Sequence, residues 1–424
     1  MLTGTSTHIK LPKNILFAGI VGNGLEWYDF LLYAYFTPII APLFFPAKNE
    51  FISLIAALGV FALGFLFRPL GAFVIGRWGD LYGRRKTLIY SISLMTIPTV
   101  ALGLLPSYAA WGIAAPIILT LIRCVQGFAV SGEISTAASF LIEHSHESRR
   151  GYTGSLVMSS AFMGILVGAI VVTIFSELIP APALQAWGWR LPFLLAGVFG
   201  IFGLIIRLRA IESPQFTSNT AAEHAPIKLL FRDHWREVLC GVGLTIVVAI
   251  GNYFIVAYFT TYLVEFAGLA HKDAMLVNVI SMFILILVLL FFGFLADKWG
   301  RKPVFIIGIL SIIIFILPVL WLLAQKTFLT ALGAEVLFVL ILAPNSALIL
   351  TLLTELFPVA VRNSGVALSY NIALTLFGGT TPLIALSLIK VFSNDLAPAI
   401  YIIVGAIFSC CSLLFIRKSV HIAS

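Results

Sequence analysis

The chain has 424 residues, 60% of them hydrophobic and only 10% charged, with a mean hydropathy of +1.07. Soluble domains carry about 45–50% apolar and about 25% charged residues, which excludes a soluble enzyme, a nucleic-acid reader and a disordered scaffold. The net charge of +8 has a membrane explanation, because Lys and Arg collect in cytoplasmic loops, and Cys124, Cys240, Cys410 and Cys411 form no CxxC pair that would encode a metal site or a disulfide framework.

A helix needs about 20 apolar residues to cross about 30 Å of hydrocarbon. Twelve stretches between Gly, Pro and charge breaks qualify, at about 15–45, 52–76, 87–105, 112–142, 152–178, 189–208, 237–266, 273–296, 303–324, 327–354, 360–390 and 395–417. All are expected to be helical, since lipid offers an unpaired amide no partner. The first is not expected to be a cleavable signal: it is long, contains Glu26 and Asp29, and is followed by no small-residue cleavage site. Lys48, Arg190, Lys272, Lys326 and Lys390 fall on one side of this alternation. Arg68 and Arg123 lie inside spans, and the other basic residues, from Lys10 to Arg417 and Lys418, share a side with both termini. The positive-inside rule places that side in the cytoplasm. The interval 209–236, broken by Glu212, Ser213, Pro214, Asn219, Glu223, His224 and Pro226, reads as a cytoplasmic linker. It separates one bundle at 1–208 from another at 237–424. The expected fold is an all-α membrane protein of twelve transmembrane helices in two pseudo-symmetric six-helix bundles.

The pseudo-symmetry rests on a repeat. Gly76-Arg77-Trp78-Gly79-Asp80-Leu81-Tyr82-Gly83-Arg84-Arg85 follows the second span, and Gly293-Phe294-Leu295-Ala296-Asp297-Lys298-Trp299-Gly300-Arg301-Lys302 follows the eighth. Both read G-x3-D-x2-G-[RK]-[RK]. Glu143 with Arg150, after the fourth span, is echoed by Glu355 with Arg362 after the tenth. Glycines permit tight turns and close helix approach, and an Asp beside basic residues can form charge-assisted hydrogen bonds and sit against a helix N-terminus. These residues are therefore expected to form a cytoplasmic gate that latches the bundles and releases when they tilt.

Ionisable residues inside a membrane are functional candidates by default. Glu26 and Asp29 share a face of the first span with Tyr33. Two carboxylates so close cannot both ionise cheaply, and a carboxyl group that exchanges a proton is what a proton-coupled carrier requires. The alternative is a permanent bridge to Arg68 or Arg123. Arg123 offers a substrate carboxylate a planar fork, with Gln126 one turn on, unless it too is permanently paired. Arg68, placed near the cytoplasmic end of its span, reads as structural. Glu133 is either a further proton site or a partner for a neighbouring helix, and Glu335 has no assigned role. In the second half, Asn252, Tyr253 and Asn371 are candidates to line a substrate cavity or to hold helices together. No Walker loop, dinucleotide fingerprint, HExxH or nucleophile elbow is present, so no enzyme activity, metal or organic cofactor is expected.

Two six-helix halves with that loop in each resemble the major facilitator superfamily. Further stretches are similar to its metabolite:proton symporter branch: Gly22-Asn23-Gly24-Leu25-Glu26-Trp27-Tyr28-Asp29-Phe30, Arg68-Pro69-Leu70-Gly71, Arg123-Cys124-Val125-Gln126-Gly127 through Ser131-Gly132-Glu133, Gly188-Trp189-Arg190-Leu191-Pro192-Phe193, Glu355-Leu356-Phe357-Pro358 and Phe377-Gly378-Gly379. Ser131 stands where the branch usually has glycine. The resemblance implies a monomeric transporter in the bacterial inner membrane. It would import a small metabolite, such as proline, betaine or a di- or tricarboxylate, with the proton as coupling ion, by alternating access around a midplane site. An exporter of the same fold and a non-transporting receptor are the alternatives. The osmosensing members carry a C-terminal coiled coil, and no heptads follow Arg417, so sensing of that type is not expected.

Overall fold

The computed structural model describes residues 12–218 and 226–415. Lys10, Arg417 and Lys418 of the charge pattern and Asn219, Glu223 and His224 of the linker lie outside the described residues. Among the described residues, eleven helices are long and apolar enough to cross a membrane, and one shorter apolar helix follows. In chain order they are α1 (Lys13–Phe44), α2 (Phe51–Tyr82), α3 (Arg84–Leu104), α4 (Ala114–Glu143), α5 (Arg150–Leu178), α6 (Arg190–Leu208), α7 (Trp235–Glu265), α8 (His271–Trp299), α9 (Arg301–Leu323), α10 (Phe328–Leu356), α11 (Arg362–Phe392) and α12 (Pro398–Leu414). No strand occurs among the described residues. The fold is the twelve-helix all-α membrane architecture.

Helix ends follow local chemistry. α2 ends at Gly83 and α8 at Gly300, whose φ values of +98° and +93° reverse the chain sharply, a conformation open to glycine at little cost. α2 therefore runs past residue 76, where an apolar count stops, carrying Arg77 and Asp80 within the helix. It is also broken at Phe67 into Glu50–Leu66 and Arg68–Tyr82, with Pro69 in the first turn of the second segment, where its missing N–H costs nothing. This corrects the placement of Arg68. It lies fourteen residues before Tyr82, about 20 Å from the helix end at 1.5 Å per residue. α7 and α11 each contain one wide π turn, at Phe254–Tyr258 and Leu374–Gly378.

Small residues inside and large apolar residues outside set the packing. The second half of α4, Ala129–Glu143, is buried on every side and rich in Ala, Ser, Gly and Thr, as expected where helices approach closely without a hydrophobic driving force. Ser131 fits there because its hydroxyl turns back to donate to the Phe128 carbonyl (2.7 Å) and Gly71 lies opposite it. Leu66, Ile97, Ile314 and Leu383 are among the large apolar side chains that face outward. Across the halves, the second segment of α2 packs on α11, α5 on α8 and α10, and α4 on α11. The first segment of α2 packs instead on α1 and α4 of its own half, and the last segment of α7 on α8. The halves are thus joined most closely at the end that carries the repeated basic loops.

Candidate functional site

At that basic end two matched contacts cross the seam. The Asn363 and Ser364 N–H groups donate to the two carboxylate oxygens of Asp80 (2.9 Å each), and the Ser364 hydroxyl adds a third bond (2.6 Å). The Gly151 and Tyr152 N–H groups donate to the two oxygens of Asp297 (2.8 Å each). Each Asp therefore closes the first turn of a helix in the other half, α11 for Asp80 and α5 for Asp297. The first-turn amides there have no intrahelical partner, and the helix dipole favours a negative charge. Gly76 and Gly293 keep the approach close: a Cβ on Gly76 would meet Ser364 Cα at 2.9 Å, and one on Gly293 the Gly151 carbonyl at 2.9 Å.

The glutamates flank these contacts in the same duplicated way. Glu143 lies between Arg84 (3.1 Å) and Arg362 (3.0 Å), and Glu355 between Arg301 (3.6 Å) and Arg150 (3.8 Å). Each glutamate joins one arginine of its own half to one of the other. Arg84 and Arg301 also sit 3.5 and 3.6 Å from Asp80 and Asp297. Arg85 differs, since it donates to the Leu208 carbonyl (2.6 Å) within its own half.

Deeper in the first half, a polar chain joins several sequence candidates. Arg123 donates to Gln126 (2.7 Å) and Gln126 to the Thr99 hydroxyl (2.7 Å), beside which lies Asp29. The Arg123 guanidinium stacks over Tyr33 and Phe61, at 4.6 and 5.1 Å. The Tyr33 hydroxyl donates to the Ala57 carbonyl (2.9 Å). Glu26 faces a second group, in which Glu133 is paired with Arg207 of α6. Arg207 also donates to the Leu88 and Ala18 carbonyls (2.5 and 3.2 Å), and Gly22 leaves room for its guanidinium. Glu133 thus ties helices together. Arg207 escaped notice as a loop cation although it falls within the expected span 189–208.

Between the halves lies a cavity of about 180 Å³ lined by the rings of Trp27, Tyr35, Phe61, Phe65, Phe162, Tyr253 and Tyr370 together with aliphatic side chains, with Asn252 at its wall. Asn252 accepts from Ser346 (3.0 Å). Neither Arg123, Gln126, Tyr33, Glu26, Asp29 nor Asn371 is among the lining residues. Asn371 instead crosses the seam to donate to the Ser131 carbonyl (2.7 Å). Arg68 is not a lining residue either, but its guanidinium lies directly behind the wall, at 5.4 and 4.7 Å from the Trp27 and Phe65 rings and beside Tyr253 and Tyr370 of the second half, all four of which line the cavity. Its reading as a purely structural cation followed from the shortened span.

The sequence model of the Major Facilitator Superfamily matches residues 28–382 and 268–422. The ectoine/proline transporter ProP of Corynebacterium glutamicum is 33% identical, covering 99% of this chain and 87% of the relative. The glycine betaine/proline/ectoine/pipecolic acid transporter OusA of Dickeya dadantii is 34% identical, covering 97% and 84%. Among solved structures, the proton:xylose symporter XylE bound to 6-bromo-6-deoxy-D-glucose has the same fold, with a TM-score of 0.79 at 18% identity over 96% of this chain and 95% of that one.

Two outcomes follow from this geometry. Arg207→Leu strands Glu133 in a buried site, which costs about 3–5 kcal/mol. The melting temperature of the purified protein should fall, and adding Glu133→Gln should recover much of the loss. Asp80→Ala removes charge-assisted bonds worth about 1.5–3 kcal/mol each and should free the basic end to open. In a background with the four native cysteines replaced by serine, a cysteine at the buried position Ala367 should then react with a polar maleimide about tenfold faster. An unchanged rate would mean that Asp80 does not hold the seam.

Proposed function

This chain belongs to the Major Facilitator Superfamily and is a multi-pass membrane transporter, not an enzyme, and from that premise we propose that it imports a small ammonium zwitterion of the proline/betaine class together with protons. The observation that carries the substrate reading is the ring-walled central cavity with the Arg68 guanidinium directly behind its Trp27 and Phe65 rings, one side-chain movement from the space they enclose. A guanidinium offers a carboxylate two parallel hydrogen bonds, while aromatic faces attract a quaternary or secondary ammonium that has few hydrogen bonds to give. Tyr35, Phe162, Tyr253 and Tyr370 supply such faces from both halves. A di- or tricarboxylate would leave charge against apolar rings. The transported solutes in the names of the two relatives above have the same zwitterionic chemistry.

The coupling reading rests on a charge inventory. Glu26 and Glu133 share a buried site with one cation, Arg207, so one negative charge is left over, and a proton removes it. Asp29, joined to Arg123 through Thr99 and Gln126, is a second position where a proton alters the charge next to the Tyr33 and Phe61 face of α1 and α2. Alternating access supplies the cycle: the basic end, read as cytoplasmic with both termini, unlatches while the opposite end closes around the cavity. The inner membrane of a bacterium is the proposed location.

Purified protein in liposomes with an inward proton gradient should accumulate labelled glycine betaine or proline, and a protonophore should abolish the accumulation. Trp27→Ala removes a ring face worth about 0.5–2 kcal/mol and should raise the half-saturating betaine concentration about three- to thirtyfold. Arg68→Lys should weaken proline and betaine alike. Uptake driven by citrate or 2-oxoglutarate in place of betaine would overturn the substrate reading, and accumulation indifferent to the protonophore would overturn the coupling.

A further inference from the structure

One buried carboxyl group in the second half has no part in the arrangement above. Glu335 lies in α10, about 10 Å from its first residue at 1.5 Å per residue, with no exposed surface and no hydrogen bond of ordinary geometry to either oxygen. The polar groups nearest its carboxyl are Ser281 and Asn278 of α8. The Ser281 hydroxyl donates to the Val277 carbonyl (2.8 Å), and the Asn278 amide nitrogen donates to the Ile255 carbonyl (2.6 Å). The Asn278 NH2 holds a second hydrogen besides the one given to Ile255, so it is placed between the Ile255 carbonyl and the Glu335 carboxyl, while the Ser281 hydroxyl is already turned to Val277. An ionised carboxylate can only accept, whereas a protonated carboxyl can also donate.

No charged side chain among the described residues acts on Glu335. The charges of the helices packed on α10 lie elsewhere: Asp297 and Arg301 at the basic end, Arg150 and Arg362 beside Glu355 and Glu143, Glu133 with Arg207, and Glu265, His271, Lys272 and Asp273 at the helix ends of α7 and α8, where the first three are exposed. Tyr258 and Tyr262 of α7 face each other and Asp395, to which the Tyr262 hydroxyl donates (2.8 Å). An isolated ionised carboxylate in such a place is costly, and a proton is the smallest remedy.

We propose that Glu335 is a further proton-binding site, in the half opposite Asp29 and the Glu26 and Glu133 group, linked to the cavity wall through Asn278 and the π turn of α7. The inference rests on the proton-coupled reading above. Ile255, whose carbonyl Asn278 holds, belongs to that turn. The next two residues, Val256 and Ala257, line the cavity, as do Asn252 and Tyr253 just before the turn. The turn is also clamped to α10 by Phe338, one helical turn beyond Glu335, whose ring meets those of Phe254 and Phe259 at 5.6 and 4.9 Å. When the Glu335 proton leaves to water, the carboxylate requires a donor, and the Asn278 NH2 is the group within reach. Drawing it toward the carboxylate weakens its bond to the Ile255 carbonyl and loosens the wall. Protonation tightens the same wall.

The test uses the full chain in liposomes and in detergent. Glu335→Gln keeps size and donor capacity but holds no exchangeable proton. It should retain betaine or proline exchange across a membrane with no gradient to within about twofold, and lose at least about tenfold in gradient-driven accumulation. Infrared difference spectra of the detergent-solubilised protein should show a protonated carboxyl carbonyl band in the wild type that loses one carboxyl's share of its intensity in Glu335→Gln. A variant that accumulates substrate like wild type, or whose carboxyl band equals that of wild type, overturns the proposal. If the wild type itself fails to respond to a proton gradient, the coupling reading falls, and the infrared comparison still decides whether Glu335 carries a proton.

Discussion

Hydrocarbon supplies neither a hydrogen-bond partner nor a counter-ion, so every charge carried into a span must find its complement inside the protein. The chain meets that demand in four different ways. Asp80 and Asp297 use the bare amides of helix starts in the other half. Glu133 uses a guanidinium from α6. Arg68 and Arg123 use aromatic faces along with hydrogen-bonding neighbours. Glu335 has only the neutral Ser281 and Asn278 side chains for company. The first two solutions hold helices in place, and the last two leave a charge or a proton open to exchange.

These solutions are sorted by depth. The permanent pairings concentrate at the basic end, where the halves press together, while the cations set among rings and the acids lie toward the middle. A rocking motion about the midplane breaks contacts at one end and leaves the central groups within the same shell of neighbours. The wide turns in α7 and α11 suit this arrangement, because each ends a rigid stretch beside the cavity, where a small change in backbone can reshape the wall without disturbing the seam.

Most of the architecture was legible because it depends on local chemistry. Apolar runs bounded by Gly, Pro and charge locate helices to within a few residues, and the G-x3-D-x2-G repeat identifies the crossing contacts since the Asp, the turn glycine and the basic pair are all local. What escaped was the pairing of charge across distant segments. Arg77 and Asp80 read as the end of a span, yet the helix carries them onward because Asp80 finds its partners 283 residues away in α11. Arg207 read as one more inside-positive residue, since nothing near it in sequence reveals that Glu133 lies across the bundle. The same truncation of α2 set Arg68 near the cytoplasmic end of its span in the reading and hid its place behind the cavity rings. Glu335 was visible as a charge in a span, but only the fold shows that its polar neighbours are the uncharged Ser281 and Asn278 of α8.

The crossed pattern of Asp80 on α11 and Asp297 on α5 has a geometric corollary. Each half contributes both a carboxylate and a receptive helix start, so the seam has the reciprocity of an isologous dimer contact, in which what one partner gives it also receives. A surface of that kind is complementary to itself. Severing either bond leaves the other bearing the strain alone, so the two tend to part in one stroke, as paired clasps do when a single one slips.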